Sequence, residues 1–600
     1  MLYDAPVKDM RFLLTHIGKL NELGTTSLYQ DLVSDDLVDA ILTEAGRFSA
    51  DILAPINRQG DLQGSHIVAD DVRTPDGFKD AYQAYVEQGW ASVSGPVDFG
   101  GQGLPGSFSF LVQEMVFSAN LAFGLCPMLS VGAAEALEAH GSDELKARYL
   151  PKMISGEWTG AMDLTEPQAG SDVGALRAKA VPVDDGTYRI TGNKIFITFG
   201  DHDFTDNVIH LVLARLPDAQ PGTKGISLFL VPKFLVNDDG SIGARNDVKV
   251  TALEHKMGIH ASPTCAMAFG EDGEGAVGYL IGAPHRGMAA MFTMMNNARL
   301  NVGIQGVAAA EAAYQQALSF AQDRVQGRAP GVARDQSSAI IEHPDVRRNL
   351  LLMKAKTEAA RAICVMTAGA LDHARALEDE AARERAKLRA DFLTPIAKSW
   401  STDIGVEVSS IGVQVHGGMG FIEETGAAQF MRDSRIAPIY EGTNGIQSID
   451  LVMRKLPLDN GSVADEFFAD IEETAAALGA HDNAALTRLA APLVASLAAA
   501  RQATNWLRER AAQNPTDLLA GATPYCTMMG DLFGGWLLAK KALIAFEEGD
   551  DVWGSAFVAA RLETASFFAS QILPQVAAGA SAVQGGAAGL FTLDPIAMKA

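Results

Sequence analysis

From Ser34 to Asp61, in "SDDLVDAILTEAGRFSADILAPINRQGD", apolar residues return at steps of three and four. That period predicts a helix with one buried face. Ser34 suits the N-cap, Asp35 and Asp36 suit the first turn, and Pro55 is expected to end the helix. The glycine-rich stretch "GPVDFGGQGLPGS" reads as a loop, and "FSFLVQEMVFSANLAF" as a further helix. Past residue 160 the period changes. "GTYRITGNKIFITFG" alternates Tyr188 and Ile190, then Ile195 and Ile197, across "TGNK", which predicts a hairpin. "NVIHLVLARL" and "KGISLFLVPKF" are two more strands. From about residue 283 the helical period returns in "AAMFTMMNNARLNVGIQGVAAAEAAYQQALSFAQDRV", with a break expected near Gly303 or Gly306. Another helix starts near Pro344 and Asp345. "KLPLDNGS" reads as a linker before an alanine-rich helical end.

Segregated runs of helices, strands and helices predict an α+β fold with distinct domains. The expected boundaries are a helical domain with an extension over 1–160, a β domain over 161–282, a helical bundle over 283–455, and an extra helical domain over 461–600. A chain of 600 residues suits several domains. No period marks it as a repeat array.

Charge narrows the partners. A net charge of -25 disfavours nucleic acid and anionic membranes, so an anionic ligand needs a local cationic pocket. Residues 461–600 hold 15 acids against 8 bases, a net of -7, and no basic patch. The four cysteines, Cys126, Cys265, Cys364 and Cys526, are far apart and read as reduced core thiols. The start "MLYDAPVKDMRFLL" lacks a secretory pattern. No uninterrupted apolar run of about 18 residues predicts a membrane span. A cytoplasmic protein is expected. No histidine set has metal-ligand spacing: His255 and His260 are off one helix face, and His416 stands among glycines.

Several segments carry polar groups of chemical interest. In "AMDLTEPQAGSD", Thr165, Ser171 and Asp172 offer hydrogen bonds, and Gly170 permits close approach of a ligand; a capped turn would use the same residues. Phe196 and Thr198 share a strand face and suit a flat heterocycle, or else a core ring with an edge hydroxyl. Arg299 sits in an apolar helix with no acid four residues on, and suits an anionic ligand or a distant ion pair. "DRVQGR" carries Arg324 and Gln326 after a helix. "GVQVHGGMGF" leaves the amides of Gly417, Gly418 and Gly420 bare, as a diphosphate site would, without the spacing of a dinucleotide fingerprint.

In this order, "LTEPQAGSD", "GNKIFIT", "RVQGR", "VQVHGGMGF" and "MRDSRIAPIYEGTNGIQ" resemble the acyl-CoA dehydrogenase family over residues 40 to 455. The added ends resemble its long branch. "APVKDMRFLL" and "EHPDVRRNLL" are most similar to the 3-methylmercaptopropionyl-CoA dehydrogenases. The resemblance implies a helical domain, a β domain and a four-helix bundle. It also implies FAD between the last two, an acyl-CoA substrate, an electron-transfer flavoprotein as acceptor, and a homodimer or dimer of dimers. It places Thr165 on the flavin ring, Ser171 by the diphosphate, Phe196 against the flavin, and Thr198 at flavin N5. Thr443 is a further cofactor residue. Arg324, Gln326, Gln414, Gly417 and Gly418 would meet the FAD of the neighbouring subunit. Arg299 and Asn296 stand in the CoA-binding stretch, where some relatives have Asp in place of Asn296. Gly445 replaces a polar residue common after the catalytic acid.

The family's base falls on Glu441, in "RIAPIYEGTNGIQ". A thioester α-proton is weakly acidic, so its removal needs a carboxylate more basic than free Glu at about 4.3. Apolar neighbours and excluded water raise such a pKa, and the next basic residue in sequence is Arg454. The implied product is a 2-enoyl-CoA. The subfamily implies 3-methylmercaptopropionyl-CoA, a thioester of dimethylsulfoniopropionate breakdown. Medium- or long-chain fatty acyl-CoA, and an oxygen-using oxidase, are the alternatives.

Overall fold

A computed structural model describes every residue except Met1, Leu2, Pro595, Ile596 and Ala600. The extreme ends of the two outer expected segments, and the first two residues of "MLYDAPVKDMRFLL", therefore lie outside the described residues. The chain forms two compact units. One gathers the described residues before Pro6 with residues 39–301; the other gathers residues 6–38 with the chain from 302 onward.

In the first unit, helices precede a β domain, and the first of them begins in residues 34–38 of the second. Ser34 Oγ accepts from the Leu37 amide at 3.3 Å, as the N-cap pattern predicts, and the Asp35–Phe48 helix follows. Pro55 does not end this helical stretch. A π-turn over Ser49–Leu53 intervenes, and Pro55 enters the first turn of the Ala54–Gln63 helix. The backbone stays helical through the join, with Leu53 in αR, and the wider π-turn interrupts the ladder where the proline enters. The "GPVDFGGQGLPGS" loop folds on itself, because Gly101 lies where a Cβ would stand 2.0 Å from the Gly95 carbonyl. The Gly106–Ala119, Leu121–His140 and Asp143–Ser155 helices complete this part. Leu121–His140 and the later Ala484–Gln513 helix are long and apolar enough by composition to cross a bilayer. The most apolar stretch of the former is 83% buried, as a core helix would be.

The β domain is built on an eight-stranded sheet, beside a two-stranded ribbon of Phe234–Val236 and Ile242–Arg245. Its path runs Val248–Leu253, Thr264–Phe269, Tyr188–Thr198, Ala276–Ile281, Ile226–Pro232, Val208–Arg215, Thr159–Asp163, and Lys179–Pro182 pairs off this path. "TGNK" is not a turn. Tyr188–Thr198 is one strand of 11 residues, whose first half pairs with Lys179–Pro182 and whose second half pairs with Thr264–Phe269. A register shift opposite Ile195 and Phe196 takes up the irregularity that the pattern suggested was a turn. Ile190, Ile197, Val212, Phe229 and Phe269 pack in the domain's core.

The Gly287–Asp323 helix runs unbroken through Gly303 and Gly306. These glycines are contact points. A Cβ at Gly303 would stand 2.8 Å from the Ala397 carbonyl oxygen, and one at Gly306 2.1 Å from that of Ser401. In the second unit the rest of this helix packs with Pro344–Ala376 and Glu380–His416. The Ser462–Gly479, Ala484–Gln513, Ala522–Glu548, Ser555–Gln571 and Gln575–Gln584 helices follow. The Val7–His16 helix belongs to this unit: Phe12 is fully buried against Ala545, Trp553 and Val558.

Candidate active site

The first unit carries one group of the expected residues. Thr165 is half-buried in the loop after the Thr159–Asp163 strand, and its carbonyl accepts from the Ile195 amide at 2.9 Å. This bond sets the loop beside Phe196. The register shift leaves Phe196 at φ 60, with a ring 58% exposed, while Ile197 is buried and Thr198 half-buried. A large aromatic ring held outward in left-handed backbone is an unusual use of a strand residue. Ser171 and Asp172 are exposed, and nothing lies within 4 Å of a Cβ at Gly170.

Two residues inside the quoted motifs hold this arrangement and escaped the sequence reading. Lys194, with no exposed surface, donates to Glu166 Oε1 at 2.8 Å and to the Leu164 carbonyl at 3.1 Å. Glu166 also accepts from the amides of Arg177 and Ala178 at 2.7 and 3.0 Å. Burial alone would raise the Glu166 pKa; the Lys194 ammonium and the two amides outweigh it and hold the carboxyl below its usual range. The loop and the strand are thereby pinned by a buried ion pair. A lysine at a strand position alternating with Phe196 was its only signal.

Arg299 is buried and has a partner three residues before it in the helix. It donates to Asn296 Oδ1 at 3.3 Å and lies over the Phe292 ring at 5.7 Å. The two expected substrate residues thus touch each other. Met291 and Met294 are fully buried, and a Cβ at Gly132 would meet Met294 at 3.1 Å, so both are core.

The second unit carries the remaining residues in three places. Arg324 and Gln326 are exposed and bonded to each other at 3.1 Å, just past the Gly287–Asp323 helix. Gln414, Gly417 and Gly418 are exposed where the Glu380–His416 helix ends, and a Cβ at either glycine would meet nothing within 4 Å. His416 is buried, bonded to the Gly412 carbonyl at 2.7 Å and stacked on Phe320, so it serves packing. Glu441 and Thr443 share the loop before the Asn444–Asp450 helix. Thr443 Oγ1 caps that helix by accepting from the Ile446 amide at 3.3 Å.

Glu441 is half-buried, at φ 54, and Gly442 follows at φ 80. Two successive left-handed residues turn the chain sharply. The φ of 80 favours glycine there, and a Cβ at Gly442 would stand 2.6 Å from Gln447 Nε2 and displace that amide. Gln447 Nε2 donates to the Glu441 carbonyl at 3.4 Å, and the Tyr440 hydroxyl donates to Gln305 Oε1. Burial, and then the neighbouring Glu441 carboxylate, push the Tyr440 phenol well above its usual range. No basic residue follows Glu441 before Arg454, but the fold ties its loop to a lysine far away in sequence. Lys398 on the Glu380–His416 helix is buried, and its ammonium donates to the carbonyls of Ala437 and Gly442 at 2.9 and 3.0 Å and to Asn444 Oδ1 at 2.9 Å. A lone lysine within "FLTPIAKSW" was the available clue.

The donor set fits FAD. In the first unit, an outward aromatic ring, half-buried threonines in the adjoining loop and strand, an exposed serine hydroxyl and a glycine whose Cβ position is open suit a flat heterocycle with a diphosphate tail. Among the described residues no group of His, Cys, Asp and Glu could hold a metal ion.

Comparison with known proteins agrees with this donor set. Models of the acyl-CoA dehydrogenase N-terminal, middle and C-terminal domains match residues 38–157, 161–271 and 285–456. An acetyl-CoA dehydrogenase C-terminal-like model matches 467–594. The chain is 46% identical to 3-methylmercaptopropionyl-CoA dehydrogenase of Ruegeria pomeroyi, over 96% of this chain and 97% of that one. It is 40% identical to a butyryl-CoA dehydrogenase of Syntrophomonas wolfei, over 78% of each. Its fold matches an acyl-CoA dehydrogenase from Bacillus anthracis complexed with FAD, at a TM-score of 0.72 and 22% identity, covering 94% of this chain and 90% of that one. The chain belongs to the acyl-CoA dehydrogenase family of FAD-dependent oxidoreductases.

Proposed function

We propose that the chain oxidises 3-methylmercaptopropionyl-CoA to its 2-enoyl thioester, with Glu441 as the base. The observation that carries the substrate is the near full-length 46% identity to the Ruegeria pomeroyi enzyme of that name. The base assignment is supported by a half-buried carboxylate on a loop whose backbone is bonded on both sides of it.

Glu441 takes the α-proton. Its own backbone amide donates to the thioester carbonyl, a fixed donor of a kind that contributes up to about 4 kcal/mol to a developing oxyanion elsewhere. Arg299, with Asn296 against it, holds the CoA portion. FAD, when bound, supplies the acceptor for the β-hydride. Thr165, Ser171, Phe196, Thr198 and Thr443 would hold it, with Arg324, Gln326, Gln414, Gly417 and Gly418 reaching the FAD of a neighbouring copy in a dimer or dimer of dimers. A soluble electron-transfer flavoprotein would receive the electrons.

Glu441→Gln tests the base. Its similar size should preserve the fold and FAD content, while turnover falls by about 10²–10⁴-fold, the range that general-base catalysis supplies. Undiminished dehydrogenation would refute the assignment. Anaerobic bleaching of the flavin by a panel of acyl-CoAs tests the substrate. The 3-methylmercaptopropionyl thioester should bleach it with the largest second-order rate constant for flavin reduction. The 40% identity to a butyryl-CoA dehydrogenase supports a second reading, in which butyryl-CoA wins the panel.

A further inference from the structure

Lys398 has no exposed surface, and burying an ammonium costs several kcal/mol unless its donors are well met. Among the oxygens that meet them, three lie between residues 437 and 444: the Ala437 carbonyl, the Gly442 carbonyl and Asn444 Oδ1. One ammonium thus brackets Glu441, from four residues before it and one residue after. Asn444 continues the tie. Its Nδ2 donates to the Ser399 carbonyl at 3.1 Å, to Thr402 Oγ1 at 3.0 Å and to Asp403 Oδ1 at 2.8 Å, all on the helix that carries Lys398.

The loop needs such a tie. A non-glycine residue in left-handed backbone is strained and persists only when its surroundings over-determine it. Glu441 is such a residue, and Gly442 after it has no side chain to restrain its own dihedrals. A methionine would fill the same core volume without the desolvation cost. What the ammonium adds is direction, in three bonds to the segment that carries the carboxylate.

We propose that Lys398 is the positioning residue for Glu441: by binding the Ala437 and Gly442 carbonyls and Asn444 from one rigid helix, it holds the left-handed turn that aims the carboxylate at the substrate α-carbon. The inference rests on Glu441 being the base. A misplacement of about 1 Å can cost about 100-fold in rate, which sets the expected scale.

The test separates aim from stability. Methylthioacetyl-CoA has α-hydrogens and a sulfur in place of the β-carbon, so it can exchange protons but cannot be dehydrogenated. Its α-hydrogen exchange with D2O, per bound flavin, reports the base alone. Lys398→Met should keep FAD, lose about 100-fold in both exchange and kcat, and change KM by less than about threefold. Lys398→Arg restores charge but not the geometry of a compact three-donor head, and should regain less than a tenth of the exchange. If Lys398→Met does not fold, Asn444→Ala removes one of the three bonds and should slow exchange per flavin about tenfold. Normal exchange per flavin in Lys398→Met, or in Asn444→Ala where the former cannot be obtained, would overturn the proposal. Glu441→Gln is the separate control: exchange that survives there removes the base assignment, whatever Lys398 does.

Discussion

Asp531 binds its proton more tightly than a free aspartate. It is buried on the Ala522–Glu548 helix and accepts from Trp400 Nε1 at 3.1 Å. Burial pushes its pKa up to about 6 against the opposing pull of Lys356 and the Trp400 bond. The folded chain therefore holds the proton over a range, from about 3.8 to about 6, in which the unfolded chain releases it. Its contribution to stability is full below that range and is lost as pH rises through 6. Asp531→Asn keeps an oxygen for Trp400 and removes the charge. At pH 7.5 it should raise stability by about 1–3 kcal/mol, and at pH 4 the gain should vanish; thermal melts at the two pH values check this. No single-sequence reading finds Asp531, because its environment is made by Trp400, 131 residues earlier. Glu441, Thr165, Phe196 and Gly417 were legible, since each lies in a short quoted motif. Lys398 was not, since its meaning comes from oxygens of a loop about 40 residues away.

At the scale of elements, hydrophobic period located helices and strands well and interpreted glycines poorly. Gly303 and Gly306 resemble helix breaks in sequence, yet they mark where two backbones approach. Gly306→Ala would place a methyl against the Ser401 carbonyl within the bundle, and urea unfolding should show a loss of about 1–3 kcal/mol. At Gly479, at the end of the Ser462–Gly479 helix, a Cβ would meet Ala490 at an ordinary 3.8 Å. Gly479→Ala should therefore change stability by less than about 0.5 kcal/mol or raise it. "TGNK" failed for a related reason. Its glycine and asparagine have turn chemistry, but pairing with Lys179–Pro182 on one side and Thr264–Phe269 on the other keeps the strand extended. Pairing partners are long-range information that a local pattern lacks.

At the scale of the molecule, the second unit joins the two ends of the chain. Asp9 accepts from Lys541 at 2.8 Å and from Arg561, and it lies 3.5 Å from Arg361. Arg361 also donates to Glu311 at 2.6 Å, and Arg561 to Glu358 at 3.1 Å. These charges are buried. Burial would raise the Asp9 pKa, but Lys541, Arg561 and Arg361 outweigh it and hold the carboxyl far below its usual range. Asp9→Asn leaves buried cations without their central anion and should cost about 3–5 kcal/mol at pH 7. The difference from wild type should narrow as pH falls toward the Asp9 pKa, because the native carboxylate is then lost too. Residues 6–38 are thus part of the fold of the C-terminal helices.

The sequence by itself determined the classes of element, the α+β order and the family, and it singled out Glu441 as the candidate acid, because periodicity and short motifs are local properties of a chain. Tertiary structure alone decided which cation brackets Glu441, which ion pair pins the Thr165 loop, which glycines are contacts, and that the first helix joins the last ones. Each of those depends on atoms brought within about 3 Å by packing from distant positions. Burial then makes the bonds matter, since a buried donor or charge left unmet costs far more than an exposed one.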